Sequence, residues 1–145
     1  MTLSYFDSSV LLSILLEEER QEEALQYWQN SIRVSSILLK IETITVLRRT
    51  FEINKHGLNK NWLSKKTKIL DEYLSEVNYM IINDEVEREI YLRKELAQCR
   101  SLDAVHIATA LLFRKINNGE KTNLYSFDKA MNKIAIHYKF RTNRI

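Results

Sequence analysis

Short apolar runs alternate along this chain with longer stretches of helical periodicity, and this alternation limits the folds open to it. The apolar runs lack the strict exchange of polar and apolar residues that marks a strand with one face in water. We predict strands at residues 3–6, 33–36, 79–82 and 124–127, and an edge strand at 137–141. Short strands separated by helices are typical of a parallel sheet covered on both faces. We therefore expect an α/β fold, a three-layer α/β/α sandwich around a short, mostly parallel sheet.

Apolar residues that recur three or four positions apart predict the helices. The clearest stripe comprises Ile41, Ile44, Leu47 and Phe51. Helices are predicted to follow Asp7 and to cover residues 22–30, 38–54, 59–76, 86–96, 102–116 and 128–136, with Ser101 as an N-cap. The 145 residues include no proline and only two glycines, and nothing resembles a linker. We expect a single domain spanning residues 1–145.

Four acidic residues stand where apolar runs give way to polar or helical sequence: Asp7, Glu42, Asp103 and Asp128. They belong to the segments LSYFDSS, SSILLKIET, SLDAVHIATAL and NLYSFDKA. Asp7 and Asp128 end or directly follow predicted strands, whereas Glu42 and Asp103 lie in the first turns of predicted helices. In open parallel sheets the ligand site forms beyond the carboxyl ends of the strands. We expect the four carboxylates to converge at that edge.

Each acid also has a purely structural interpretation. Asp7 and Asp128 can cap the helices that follow them, and Asp103 can complement a helix macrodipole. Glu42 is harder to explain in this way, because it interrupts the apolar run ILLKIETITVL. His106 lies one turn after Asp103 and is a further ligand, a substrate contact or a packed side chain.

Mutual repulsion argues for a bound cation if the carboxylates converge. Two carboxylates about 5 Å apart repel by roughly 3 kcal/mol at an effective dielectric constant near 20. Mg²⁺ or Mn²⁺ prefers oxygen ligands and would relieve that repulsion. Such an ion can activate water for in-line attack on the phosphorus of a phosphodiester. A metal-dependent nuclease is therefore the leading hypothesis.

Charge and cysteine content limit the partners and the compartment. The formal net charge of +3 is a mild bias toward polyanions such as nucleic acid. The single cysteine, Cys99, cannot form an internal disulfide and excludes a cysteine-based zinc site. No apolar run reaches the roughly 20 residues that span a bilayer, and the first residues lack a secretion-signal pattern. We expect a cytoplasmic protein with no membrane partner.

The four acidic segments together resemble the motifs of PIN-domain proteins. SYFDSSVLLSIL, KIETITVLRR, RSLDAVHIATALL and LYSFDKAMNKIA match those motifs in order and spacing over essentially the whole chain. Within that superfamily, the length and the near absence of extra elements resemble VapC-type toxins of type II toxin–antitoxin pairs. The resemblance implies a PIN-like α/β/α sandwich and an Mg²⁺- or Mn²⁺-dependent endoribonuclease.

The resemblance also assigns roles to individual residues. The acidic catalytic and metal-site positions match Asp7, Glu42, Asp103 and Asp128. Small hydroxyl positions beside the first and last acids match Ser8 and Ser126, which orient a carboxylate or water, or cap a helix. The partners that the resemblance implies are an RNA substrate, a cognate antitoxin and a second copy of the chain in a homodimer.

For the RNA, we expect contacts from Arg48 and Arg49, which follow Glu42 on its helix, and from Lys65 and Lys66. Two other functions stay open. One is a PIN-like ribonuclease that processes RNA without a toxin role. The other is a module that binds RNA or protein without catalysis, although retention of four mutually repelling acids argues against it.

Overall fold

The computed structural model describes residues 1–119 and 121–143, and these form an α/β fold. The strands are β1 (Thr2–Phe6), β2 (Ser31–Ser36), β3 (Asn78–Met80) and β4 (Asn123–Tyr125). The helices are α1 (Ser8–Leu15), α2 (Gln21–Gln29), α3 (Ile37–Asn54), α4 (Trp62–Leu74), α5 (Asp84–Leu92), α6 (Ser101–Ile116) and α7 (Lys129–His137). A short 3₁₀ helix spans Lys94–Gln98. Among these described residues, no helix has the length and apolar character needed to cross a membrane.

The sheet has the order β3-β2-β1-β4, and all its neighbouring strands are parallel. β1 is central, with Tyr5 opposite Val34 of β2 and Phe6 opposite Tyr125 of β4. The chain therefore builds outward from β1 to β3 and then crosses to the other side of β1 to add β4. Ligand crevices form at such a reversal of strand order, beyond the carboxyl ends of the strands.

Successive side chains of β1 anchor two separate cores. Phe6 is fully buried in the core that α1 to α4 cover, together with Leu11 and Trp28. Tyr5 is fully buried in the core that α5 to α7 cover, together with Ile107. Each large apolar side chain buried in this way stabilises the fold by roughly 1.5–3 kcal/mol. Because both faces of the sheet are covered, its strands lack polar alternation, and the predicted three-layer α/β/α sandwich is confirmed.

The predicted edge strand at residues 137–141 is wrong. α7 extends to His137, and Lys139 then adopts a positive φ of 66°, a backbone conformation that ends a helix. Arg141 makes only an isolated parallel bridge with Asn123 of β4. The C-terminal segment therefore lies beside β4 without extending the sheet as a strand.

Several helix boundaries also differ from the predictions, among them that of the helix expected at residues 59–76, which spans Trp62–Leu74. The expected helix at residues 86–96 is divided, because Arg93 leaves the helical region with φ −116° and ψ 89°. Ser101 does not act as an N-cap, since it is already the first residue of α6 and Arg100 precedes it in extended conformation. This shift gives Arg100 a place at the mouth of the carboxyl edge.

Candidate active site

The four predicted acids lie at the carboxyl edge of the sheet, on four different elements. Asp7 is the N-cap of α1 directly after β1, and Asp128 is the N-cap of α7 shortly after β4. Glu42 lies on α3, which follows β2, and Asp103 lies in the first turn of α6. Asp7 and Asp103 each interact electrostatically with Glu42, and Asp103 also does so with Asp128. The fold therefore brings acids from both ends of the chain into one electrostatic environment.

Asp7 is the most deeply buried of the four acids, with 4% of its surface exposed. Its Oδ1 accepts hydrogen bonds from the backbone N–H of Ser9 (3.0 Å) and from the Ser9 hydroxyl (2.6 Å). Its Oδ2 accepts a hydrogen bond from the Ser126 hydroxyl at 2.6 Å. Burial raises the pKa of Asp7, against the opposing effects of His106 and of the two serine hydroxyls. The carboxylate is thus held rigidly in a place that penalises its charge.

Ser126 joins the first acid to the last. Besides donating to Asp7, its hydroxyl oxygen accepts a hydrogen bond from the backbone N–H of Asp128 at 3.0 Å. Ser126 itself is fully buried, and its backbone N–H donates to the side-chain oxygen of Asn143 at 3.0 Å. One hydroxyl group therefore fixes the position of the segment that carries Asp128 relative to the segment that carries Asp7.

The hydroxyl beside Asp7 belongs to Ser9, not to Ser8. Ser8 is the first residue of α1, whereas Ser9 lies two positions after Asp7, the spacing at which a capping aspartate reaches back to its helix. The Ser9 hydroxyl also accepts a hydrogen bond from the backbone N–H of Phe127 at 2.8 Å. If Asp7 had been interpreted as the N-cap of the helix in the sequence DSS, its spacing of two residues would have identified Ser9 as its partner.

His106 connects the centre of the sheet to Glu42. The imidazole is 1% exposed, and its Nε2 lies 2.6 Å from Oε1 of Glu42. Its Nδ1 lies 2.8 Å from the hydroxyl oxygen of Tyr5, on the central strand. Burial alone lowers the pKa of His106, but Tyr5, Glu42 and Asp7 oppose that effect and raise it to about 10. A pKa raised in this direction favours the protonated ring, which places an imidazolium against Glu42 at neutral pH.

Asp103 and Asp128 share a different cation, the guanidinium of Arg100. Nε of Arg100 lies 3.5 Å from Oδ2 of Asp103, and its Nη2 lies 3.4 Å from Oδ2 of Asp128. Burial and the charge of Asp128 raise the pKa of Asp103, whereas Arg100 acts in the opposite direction. Asp128 additionally accepts the backbone N–H of Met131 on Oδ1 at 2.9 Å, as an N-cap. Sequence reasoning missed Arg100, since its neighbour Ser101 was interpreted as the cap.

The donor atoms suit a hard divalent cation, but in this structure three of the four carboxylates pair with His106 or Arg100. Carboxylate oxygens are the ligands that Mg²⁺ and Mn²⁺ prefer. Within residues 1–119 and 121–143, no three acidic, histidine or cysteine side chains lie close enough to hold one ion. Glu42 faces His106, while Asp103 and Asp128 face Arg100. Part of the repulsion that the sequence analysis attributed to a metal ion is therefore relieved by an imidazolium and a guanidinium.

The four residues predicted to contact RNA differ in their surroundings. Arg48, Arg49 and Lys65 are exposed. Lys66 is partly buried, and its ammonium donates to the backbone carbonyl of Leu15 at the end of α1, at 2.6 Å. Lys66 thus ties α4 to α1, which gives it a structural role.

The four acids Asp7, Glu42, Asp103 and Asp128 at the carboxyl edge of the sheet form what we call the acidic edge. The fold and this acidic edge agree with the family that the motifs indicated. The PIN domain family matches residues 4–136, so the chain belongs to the PIN domain family. The predicted resemblance to this family is confirmed. PIN domains are generally nucleases, and PIN nucleases generally use divalent metals. No curated protein sequence matches the chain.

Solved structures share the same fold at low sequence identity. A chain of a toxin–antitoxin complex from Klebsiella pneumoniae is 18% identical over 86% of each chain, with a TM-score of 0.61. A chain of VapBC2 from Rickettsia felis, bound to a DNA fragment from their promoter, is 13% identical over 98% of each chain, with a TM-score of 0.64. At these identities the similarity shows a common fold.

Proposed function

We propose that this chain is a Mg²⁺- or Mn²⁺-dependent endoribonuclease that acts as the toxin of a type II toxin–antitoxin pair. The observation that supports the nuclease activity is that Asp7, Glu42, Asp103 and Asp128 lie on four elements along the carboxyl edge of a PIN domain. Family membership supports nuclease chemistry. The choice of RNA as substrate rests on the resemblance to VapC-type toxins.

The four carboxylates are the groups that would hold the divalent cation. Their oxygen donors fit it chemically, and the exposed pairing of Arg100 with Asp103 and Asp128 is the one that a bound cation would replace. When bound, the ion would lower the pKa of a coordinated water and offset negative charge that develops on the phosphodiester. The net reaction proposed is hydrolysis of an RNA phosphodiester: a bond forms between phosphorus and the oxygen of water, the bond from phosphorus to the ribose oxygen breaks, and one proton of water ends on that ribose oxygen while the other is released.

The chain's own residues fix the acids in place for this chemistry. The hydroxyls of Ser9 and Ser126 orient both oxygens of Asp7, and the backbone of α1 adds a third hydrogen bond. His106 fixes the carboxylate of Glu42 against the central strand through Tyr5. Groups positioned in this way need no reorganisation when the substrate arrives, which is the main source of electrostatic catalysis.

The toxin role rests on different support. One of the solved structures described above is a toxin–antitoxin complex and the other is VapBC2, and chains of both share the fold of this protein over most of its length. We propose a cognate antitoxin that covers the acidic edge, a homodimeric toxin, and a cytoplasmic location where RNA and antitoxin are both present. The single-domain organisation of residues 1–145 stays a prediction.

Cleavage of RNA by the purified protein tests the nuclease proposal. We expect cleavage with Mg²⁺ or Mn²⁺, none with a chelator, and none from the Asp103→Asn variant with a retained circular dichroism spectrum. Asp71→Asn, which changes an exposed acid on α4, serves as the matched control and is expected to cut like the wild type. Wild-type cleavage by Asp103→Asn would refute the site. Binding of RNA without metal binding or cleavage would favour the non-catalytic module instead.

Expression in a host separates a toxin from a processing enzyme. A toxin is expected to arrest growth, and the arrest should require Asp103 and disappear when a small neighbouring open reading frame is co-expressed. Metal-dependent cleavage without growth arrest, and without a co-purifying small partner, would assign the chain to RNA processing.

A further inference from the structure

Arg100 is the cation at the open side of the acidic edge. It precedes α6 in extended conformation, so its side chain reaches across to the segment after β4. Of the lysine and arginine side chains in the described part of the chain, Arg100 is the one that pairs with both Asp103 and Asp128. It therefore bridges two acids that come from different elements.

This bridge is a loose one. The Arg100 side chain is 84% exposed, and its two contacts are 3.5 and 3.4 Å long, beyond the length of a strong charge-assisted hydrogen bond. Exposed ion pairs of this kind contribute little to stability. A divalent cation that coordinates the same oxygens can therefore displace the guanidinium at little cost.

The other two acids are held quite differently. Asp7 is fixed by Ser9 and Ser126 in a buried position, and Glu42 is fixed by a buried imidazole. If a metal ion displaced these partners, a buried hydroxyl or imidazole would lose its hydrogen bond, and an unpaired buried polar group is costly. Within the acidic edge, the exchangeable cation is thus Arg100.

We propose that Arg100 is a substrate-binding residue that pairs with Asp103 and Asp128 in the metal-free protein and with an RNA phosphate once a divalent cation takes these carboxylates. This inference rests on the proposed nuclease function. A guanidinium suits both partners, because its planar fork of donors matches carboxylate and phosphate oxygens alike. Its exposure at the rim leaves it free to turn outward without disturbing α6.

Metal binding without RNA tests the first half of the proposal. Titration calorimetry with Mn²⁺ is expected to show binding to the wild type, and three- to tenfold tighter binding to Arg100→Gln, since the competing cation is gone. Arg88→Gln is the matched control, because it removes the same charge from an exposed arginine on α5. It is expected to bind Mn²⁺ with wild-type affinity.

RNA binding in the presence of the metal tests the second half. Affinity for a single-stranded RNA is measured with Ca²⁺ in place of the catalytic metal, over a series of salt concentrations. Arg100→Gln is expected to bind at least threefold more weakly. It should also lose about 0.7 from the slope of log affinity against log salt, the loss expected for one phosphate contact on a single strand. Arg100→Lys should keep most of that slope, and Arg88→Gln all of it.

The outcomes separate this inference from the proposed function. If the wild type binds Mn²⁺ and cuts RNA, but Arg100→Gln binds Mn²⁺ no more tightly, the inference fails alone. It also fails alone if the variant keeps the wild-type salt slope on RNA. If the wild type binds no Mn²⁺ and cuts no RNA, the proposed function and the inference fall together.

Discussion

The Nε2 atom of His106 and the Oε1 atom of Glu42 lie 2.6 Å apart, although 64 positions separate the two residues in the chain. The pair connects α6 to α3 across the carboxyl edge of the sheet. It gives one of the four acids a buried partner, whereas the counter-charge of Asp103 and Asp128 is exposed. The acidic edge therefore has a fixed half and an adjustable half.

The pH dependence of stability is expected to report the His106 imidazolium. Because its pKa is raised to about 10 in the folded protein, its contribution is complete below the ordinary value of 6.5 and is lost as pH rises through 10. The free energy of unfolding of the wild type, relative to His106→Gln, should therefore fall between about pH 6.5 and 10. Urea denaturation across this range measures the difference. The exposed His56 provides the control, since His56→Gln should give a curve parallel to the wild type.

Asp7→Asn is expected to reduce cleavage strongly without loss of stability. Burial raises the pKa of Asp7, so its ionised form costs stability above the ordinary pKa of 3.8. Asparagine keeps the shape and removes the charge, so the variant should melt at the wild-type temperature or above it at pH 7. This advantage should vanish as pH falls and the wild-type carboxyl takes up its proton. The rate of cleavage should fall at least ~100-fold. This exceeds the usual effect of removing a residue that only hydrogen-bonds to a metal ligand. A variant that unfolds at pH 7 would contradict this account.

Ser126→Ala is expected to weaken both stability and cleavage. The substitution removes a buried donor to Asp7 and the acceptor for the backbone N–H of Asp128. We expect a loss of about 1–3 kcal/mol in the free energy of unfolding and of about 10- to 100-fold in cleavage. Ser75→Ala, at an exposed serine on the surface, should stay within about 0.5 kcal/mol. Equal effects of the two substitutions would remove Ser126 from the site.

Arg49 and Arg48 should differ in their effect on RNA binding. Arg49 follows Glu42 by seven residues, which places it about 20° away around α3 and roughly 10 Å along its axis. Arg48 lies about 120° away around the helix. Arg49→Gln is therefore expected to weaken RNA binding roughly fivefold, and Arg48→Gln clearly less. Filter binding with Ca²⁺ measures both, and the reverse order would contradict a path for RNA along this face.

Lys66 and Lys65 form a second matched pair. Lys66→Ala removes the hydrogen bond to the carbonyl of Leu15 and should lower the free energy of unfolding by about 1 kcal/mol. Lys65→Ala changes an exposed side chain and should stay within about 0.5 kcal/mol. Chemical denaturation of both variants tests the assignment, which is wrong if neither loses stability.

Local patterns predicted the elements, because each depends on neighbouring residues. The apolar run before Asp7 defined β1, and the stripe through Leu47 defined α3. The predictions failed where a single residue changes the backbone direction. Arg93 ends α5 without a proline or glycine, and Lys139 adopts a conformation that the sequence pattern of a strand cannot anticipate.

The site was predictable to the extent that it follows strand ends. The positions of Asp7 and Asp128 follow from the parallel sheet, since carboxyl ends of parallel strands meet at one edge. Their partners were not predictable in this way. The contact of His106 with Glu42 depends on how α6 and α3 pack, and the bridge from Arg100 depends on the conformation before α6. Both partners are cations, and both take over charge compensation that the sequence alone assigned to a metal.

The strand order has a consequence for synthesis of the protein. β1 emerges from the ribosome first and β4 emerges last, and the hydrogen bond between Asp7 and Ser126 spans 119 positions of the chain. Contacts this distant in sequence form late, after a costly loop has closed. A nascent polypeptide therefore lacks a finished acidic edge until the segment after β4 has been synthesised. If the proposed function holds, products truncated before this segment would lack nuclease activity.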